Sequence, residues 1–113
     1  MNIDQKVSGD VMVVKVNGDI TLNQGGDVLL KDKIGSLLQQ GHKKLVLDLG
    51  GVAYVDSAGL GQLVQIHSTA RNNGGSLRIA NVTKKLKDLL VVTKLVTVFD
   101  SYDSEAEALA SFK

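Results

Sequence analysis

Between Ile3 and Val16 the chain carries two short apolar runs, IDQKV and VMVVKV, separated by Ser8-Gly9-Asp10. The first alternates and the second is β-branched, so a β-hairpin with a tight turn is predicted. NGDI ends the second strand. From Asp27 the period changes, and Leu30, Ile34, Leu37 and Leu38 recur at helical spacing until Gly41 stops the helix. Gly35 lies inside this helix and costs it up to about 1 kcal/mol relative to alanine, so packing must hold it. KLVLDL, residues 44–49, is nearly continuous in apolar residues, as in a strand covered on both faces. Gly50-Gly51 closes it.

From Ser57 onward Leu60, Leu63, Val64, His67 and Ala70 return to helical spacing, ending in NNGG. SLRIAN reads as the next strand. Thr83 can cap a helix with Leu86, Leu89 and Leu90 inward. Val96 to Phe99, VTVF, has the composition of a last strand. Ser104-x-x-Glu107 is a capping box opening a final helix with Ala106, Leu109 and Phe112 inward. The predicted order is β-β-α-β-α-β-α-β-α, a mixed α/β sheet with parallel later strands and about four helices against it. No internal repeat or linker interrupts the 113 residues, so a single domain over 1–113 is expected.

Composition narrows the function. The absence of cysteine excludes a disulfide scaffold, a thiolate zinc site and a cysteine nucleophile. A net charge of +1, with lysines dispersed among acids, gives no footprint for nucleic acid. The N-terminus lacks the basic and apolar regions of a secretory signal, and no apolar run nears the ~20 residues of a membrane span. A soluble cytoplasmic protein is the expectation, bound neither to nucleic acid nor to a membrane.

YVDSAGL, residues 54–60, places an acid, a hydroxyl and a glycine where a strand ends and a helix begins. Open α/β sheets commonly put their working groups at this carboxyl edge. Asp56 or Ser57 could simply cap the helix. Gly59 argues for more, because a helix that needs only a cap gains nothing from glycine in its first turn. Glycine there lets another backbone or a partner approach closely. A catalytic Ser57 would need a G-x-S-x-G elbow, and Val55 stands two residues before it. It would also need a histidine base. His67 lies ten residues along the same helix, roughly 15 Å at 1.5 Å per residue, and reads as a semi-buried histidine satisfied locally. His42 reads as a surface residue. These placements argue against a hydrolase. Modification is the third reading: a phosphate on Ser57 would meet the positive end of the helix while adding ~1.5–2 negative charges beside Asp56. The fold would tolerate it and an interface would not.

GDI at 18–20, LVLDLGGVAYVDSAGLGQLV at 45–64, NNGGSLRIANVTKKLKDLLVVTKL at 72–95 and VFDSYDSEAEALASF at 98–112 resemble the bacterial anti-sigma factor antagonists, single STAS domains. The resemblance spans nearly the whole chain, and its most specific part is D-S-[ST/A]-G-[LI] after an apolar strand. It implies that Ser57 is phosphorylated by an anti-sigma factor that is itself a serine kinase. The ATP would belong to that partner, so the resemblance implies a chain that needs no cofactor and is not an enzyme. The unphosphorylated antagonist would bind the anti-sigma factor and free a sigma factor for transcription, and a PP2C-type phosphatase would restore it. The resemblance further implies partner contacts at Asp19, Thr21, Asn23, Asp56, Ala58, Gly59 and Leu60. The family often carries two acids after the second strand; Asp19 matches the first, and Thr21 stands at the second, a position associated with kinase contacts. Thr21 leaves room for an alternative, a STAS scaffold or transporter-control module that is never phosphorylated.

The remaining polar clusters carry no further chemistry. NQGGD, Asn23 to Asp27, lacks the lysine and spacing of a phosphate loop and reads as a flexible loop, which the resemblance puts near the Ser57 edge at the rim of the partner site. Lys84, Lys85 and Lys87 read as the solvated side of an amphipathic helix. Asp4, Asp48, Asp56 and Asp100 are too scattered for a metal site.

Overall fold

The computed structural model describes residues 2–21 and 26–112. Strand β1 (Asn2–Ser8) turns through Gly9 into β2 (Val11–Asn17), and the two pair antiparallel from Asn2–Asn17 to Ser8–Val11. Gly9 takes a φ of 63°, the left-handed region that glycine enters without a Cβ clash. Helix α1 (Gly26–Gln39) leads to β3 (Lys44–Gly51), which pairs parallel with β2. Then follow α2 (Ser57–Asn72), β4 (Ser76–Ala80), α3 (Lys84–Val92), β5 (Asp100–Tyr102) and α4 (Glu105–Ala110). The sheet order is β1-β2-β3-β4-β5, parallel from β2 onward. This is the mixed α/β architecture that the apolar periodicity predicts.

Both faces of the sheet are covered, which is why KLVLDL is almost uniformly apolar. Leu45, Leu47 and Leu49 of β3 point to one side, into a core with Leu30, Ile34, Leu37 and Leu38 of α1 and Leu60, Leu63 and Ile66 of α2. Each such side chain, removed from water, contributes about 1.5–3 kcal/mol. That burial offsets the cost of Gly35 in α1. Val46 points to the other side and joins Val11, Val13, Ala80 and Ala108 in a smaller cluster under α4. Arg78 of β4 lies on that side too, its guanidinium 3.9 Å from the Phe112 ring centroid. Asp48 is buried at the end of β3, where its carboxylate accepts from the Gly50 N–H at 2.9 Å and from Asn81 Nδ2 at 3.1 Å. A buried carboxylate must be hydrogen-bonded to be tolerated, and Asp48 is held in this structural role.

Three details differ from the sequence reading. VTVF is not a strand. Lys94, at a φ of 62°, turns the chain into a 3-10 turn over Leu95–Thr97, and Phe99 is buried in the main core. The last strand is the polar Asp100-Ser101-Tyr102, which pairs with Arg78–Ala80 of β4. Position beside β4 outweighs intrinsic β-propensity here. In α4 the inward residue is Ala108, while Ala106 is exposed; Leu109 and Phe112 pack beside Ala108. The capping box is displaced by one residue. Ser104 Oγ accepts from the Glu107 N–H at 3.1 Å as expected, but Glu107 Oε2 accepts from the Asp103 N–H. Thr83 caps α3 as predicted, accepting from the Leu86 N–H at 3.3 Å.

Candidate functional site

The site is built where β3 runs into α2. Asp56 is extended, with φ −85° and ψ −178°, and its Oδ1 accepts from the Gly59 N–H at 2.8 Å. The cap is therefore Asp56. Ser57 is the first residue of the helix, and its side chain is exposed. The hydroxyl is thus not needed to close the helix end, which separates the two roles that the D-S pair leaves open.

The loop before α2 is fixed by the segment after β2. Gly18 N–H donates to the Gly51 carbonyl at 2.9 Å, Ile20 N–H to the Tyr54 carbonyl at 3.0 Å, and Asp56 N–H to the Ile20 carbonyl at 3.3 Å. Ile20 and Val55 form a parallel bridge beyond the regular strands, and both side chains are buried. Gly59 completes the junction. A Cβ at this position would run into the Ile20 carbonyl oxygen, so the backbone approach that the glycine suggests is made by Ile20. Ile20 itself is not among the sequence-predicted contacts; only its place in GDI hints at it.

This stitching brings several predicted residues to one edge. Asp19 is half-buried and Thr21 is buried, both in the segment that carries Ile20. Asp56 and Ala58 are half-buried beside the exposed Ser57, whereas Gly59 and Leu60 face the core. Asn23 and most of the Asn23–Asp27 loop lie outside the described residues. Next to the loop before α2 is an apolar groove of about 250 Å³, lined by Ala53, Tyr54 and Val55 on one wall and Leu86, Leu89 and Val92 of α3 on the other. Tyr54 is 49% exposed, and Lys85 Nζ lies 5.4 Å from its ring centroid. Sequence reasoning missed Tyr54. An aromatic residue in a loop of an aromatic-poor chain was the available signal.

His67 lies on the buried side of α2, its ring centroid 5.4 Å from that of Phe99. Contrary to the reading from sequence, it is not satisfied locally: Nδ1 is buried with no hydrogen-bond partner among the described residues. Burial holds its pKa below the ordinary 6.5, Arg71 lowers it further, and Asp100 opposes them. The unfolded chain therefore takes up a proton more readily than the folded one. Stability is full above pH 6.5 and falls as the pH drops towards the folded pKa. Denaturant midpoints between pH 7.5 and 5 should show this decline, and His67→Leu should flatten it. Among the described residues no group of three or more histidine, aspartate or glutamate side chains could hold a metal, and no helix is long and apolar enough to cross a membrane.

Comparison with known proteins gives this arrangement a family. The STAS domain model matches residues 2–108. The anti-sigma-B factor antagonist of Bacillus subtilis is 31% identical over 100 residues, covering 88% of this chain and 89% of that protein. The crystal structure of an anti-sigma factor antagonist from Mycobacterium paratuberculosis superposes with a TM-score of 0.84 at 23% identity, over 97% of this chain and 92% of that one. The phosphorylated form of the Bacillus cell fate determinant SpoIIAA has the same fold, with a TM-score of 0.73 at 15% identity over 99% of this chain and all of the other. With its strand order, its helices and its DSAGL junction, the chain belongs to the STAS family, among the anti-sigma factor antagonists.

Proposed function

We propose that this protein is a phosphorylation-switched antagonist whose partner is an anti-sigma factor with serine kinase activity. Unphosphorylated, it binds that partner through the edge formed by Asp19, Thr21, Asp56 and Ala58 and so releases a sigma factor. Phosphate on Ser57 ends the binding, and a PP2C-type phosphatase restores it. The observation that carries this reading is Ser57 itself, exposed at the first position of α2 while Asp56 does the capping. A phosphoryl group there meets the positive end of a 16-residue helix, so the fold accepts the charge. A partner seated on the same edge would meet ~1.5–2 new negative charges beside Asp56. The apolar groove alongside suits a protein partner, and the phosphorylated state of SpoIIAA is a precedent on the same fold.

The test is the intact mass of the protein purified from its native cell, with peptide mapping over residues 45–71. One phosphate (~80 Da) on Ser57 is expected. One observation favours a second reading, a constitutive STAS scaffold in a signalling or transporter-control complex. Thr21, standing where the family often has an acid, is buried at 9% exposure and offers a partner no charge. Ser57 unmodified in growth and stress alike, with the protein held in a stable large complex, would establish that reading instead.

A further inference from the structure

Two glycines stand in the first two turns of α2, and only one has a reason inside the fold. Gly59 makes room for Ile20. Gly61 is exposed, and a Cβ built on it would meet nothing within 4 Å. Glycine is among the poorest helix formers, so the helix alone would favour almost any other residue here. An unconstrained glycine is not enough by itself, since Gly35 in α1 is equally unhindered. What distinguishes Gly61 is its position, four residues after Ser57 and on the same exposed side of the helix.

In an α-helix every Cα–Cβ bond tilts toward the N-terminus, and a side chain covers the turn before its own Cα. A residue at i+4 therefore leans over residue i. A methyl at position 61 would meet nothing within 4 Å, but a longer side chain there would lean back toward Ser57 and the approach to its hydroxyl. We propose that Gly61 is a specificity-determining position for phosphorylation of Ser57: the missing side chain keeps the hydroxyl open to the kinase active site. In the transfer, Ser57 Oγ bonds to the γ-phosphorus of kinase-bound ATP, the bond to the ADP oxygen breaks, and the hydroxyl proton passes to a base of the kinase. The inference rests on Ser57 being the acceptor, and it adds a second residue whose effect is steric rather than chemical.

The experiment compares wild type, Gly61→Ala and Gly61→Gln as full-length proteins. Each is incubated with ATP in extract of the native cell, and the initial rate of phosphate incorporation at Ser57 is read by mass spectrometry. Thermal unfolding of the same samples confirms that the variants are folded, with midpoints at or above that of wild type. Gly61→Gln should slow incorporation by about tenfold or more, since displacements of about 1 Å at reacting atoms cost on the order of 10²-fold. Gly61→Ala, whose methyl meets nothing within 4 Å, should stay close to wild type. Wild-type rates in a folded Gly61→Gln protein would overturn the role of Gly61 and leave Ser57 as the acceptor. Wild type that gains no phosphate would overturn the acceptor assignment and this inference with it.

Discussion

On the proposed switch, Ser57→Asp should bind the anti-sigma factor at least about tenfold more weakly than wild type, a loss of ~1.4 kcal/mol or more. The carboxylate sits where the phosphate would, beside Asp56 at the exposed start of α2. Like charges forced together across an interface cost several kcal/mol, and one carboxylate reproduces only part of the ~1.5–2 charges of a phosphate. Ser57→Ala removes an exposed hydroxyl and should stay within about threefold of wild type, as surface substitutions usually change energies by less than about 0.5 kcal/mol. It would also be locked in the binding form, since it has no acceptor oxygen. Titration calorimetry of both variants against the cognate anti-sigma factor separates the outcomes. If both bind as wild type does, the switch is not at Ser57.

The second large effect is on stability. Gly59→Ala should cost about 2 kcal/mol or more, because the new methyl group has nowhere to go except into the Ile20 carbonyl. Alanine's better helix propensity returns up to about 1 kcal/mol, too little to cancel a collision with backbone. Relief would require Ile20 to move, which strains its hydrogen bonds to Tyr54 and Asp56. Urea unfolding measures the change directly, with Gly61→Ala as a control of opposite sign. A Gly59→Ala protein as stable as wild type would show that β2's extension and α2 do not meet this closely.

These expectations could be formed because much of the design is local. The i, i+4, i+7, i+8 pattern of Leu30, Ile34, Leu37 and Leu38 marks one buried face, and all four side chains are buried. Thr83 and Ser104 each cap the helix they precede, since side-chain capping depends on the neighbouring two or three residues alone. VTVF failed for the opposite reason. Its β-branched residues suit a strand, but the place beside β4 falls to Asp100–Tyr102. Ala106 and Ala108 differ only in the phase of a six-residue helix, too short for periodicity to set. At the site, the sequence made Gly59 conspicuous and explained it as a close approach. The approaching partner, Ile20, is 39 positions earlier, and only the folded sheet brings it there.

The strand order has a consequence for how such a chain is assembled. Because β1 to β5 lie side by side in the order of the sequence, each strand emerging during synthesis finds its neighbour already made. No strand has to be inserted between two earlier ones, and each parallel crossover closes a loop of roughly one helix, keeping the entropy of closure small. The contacts of α4 reach further along the chain. This helix returns to cover Val11, Val13 and Val46, so that side of the sheet stays in water until α4 has been made. During that interval the growing sheet is exposed to association with other chains, and α4 ends the exposure.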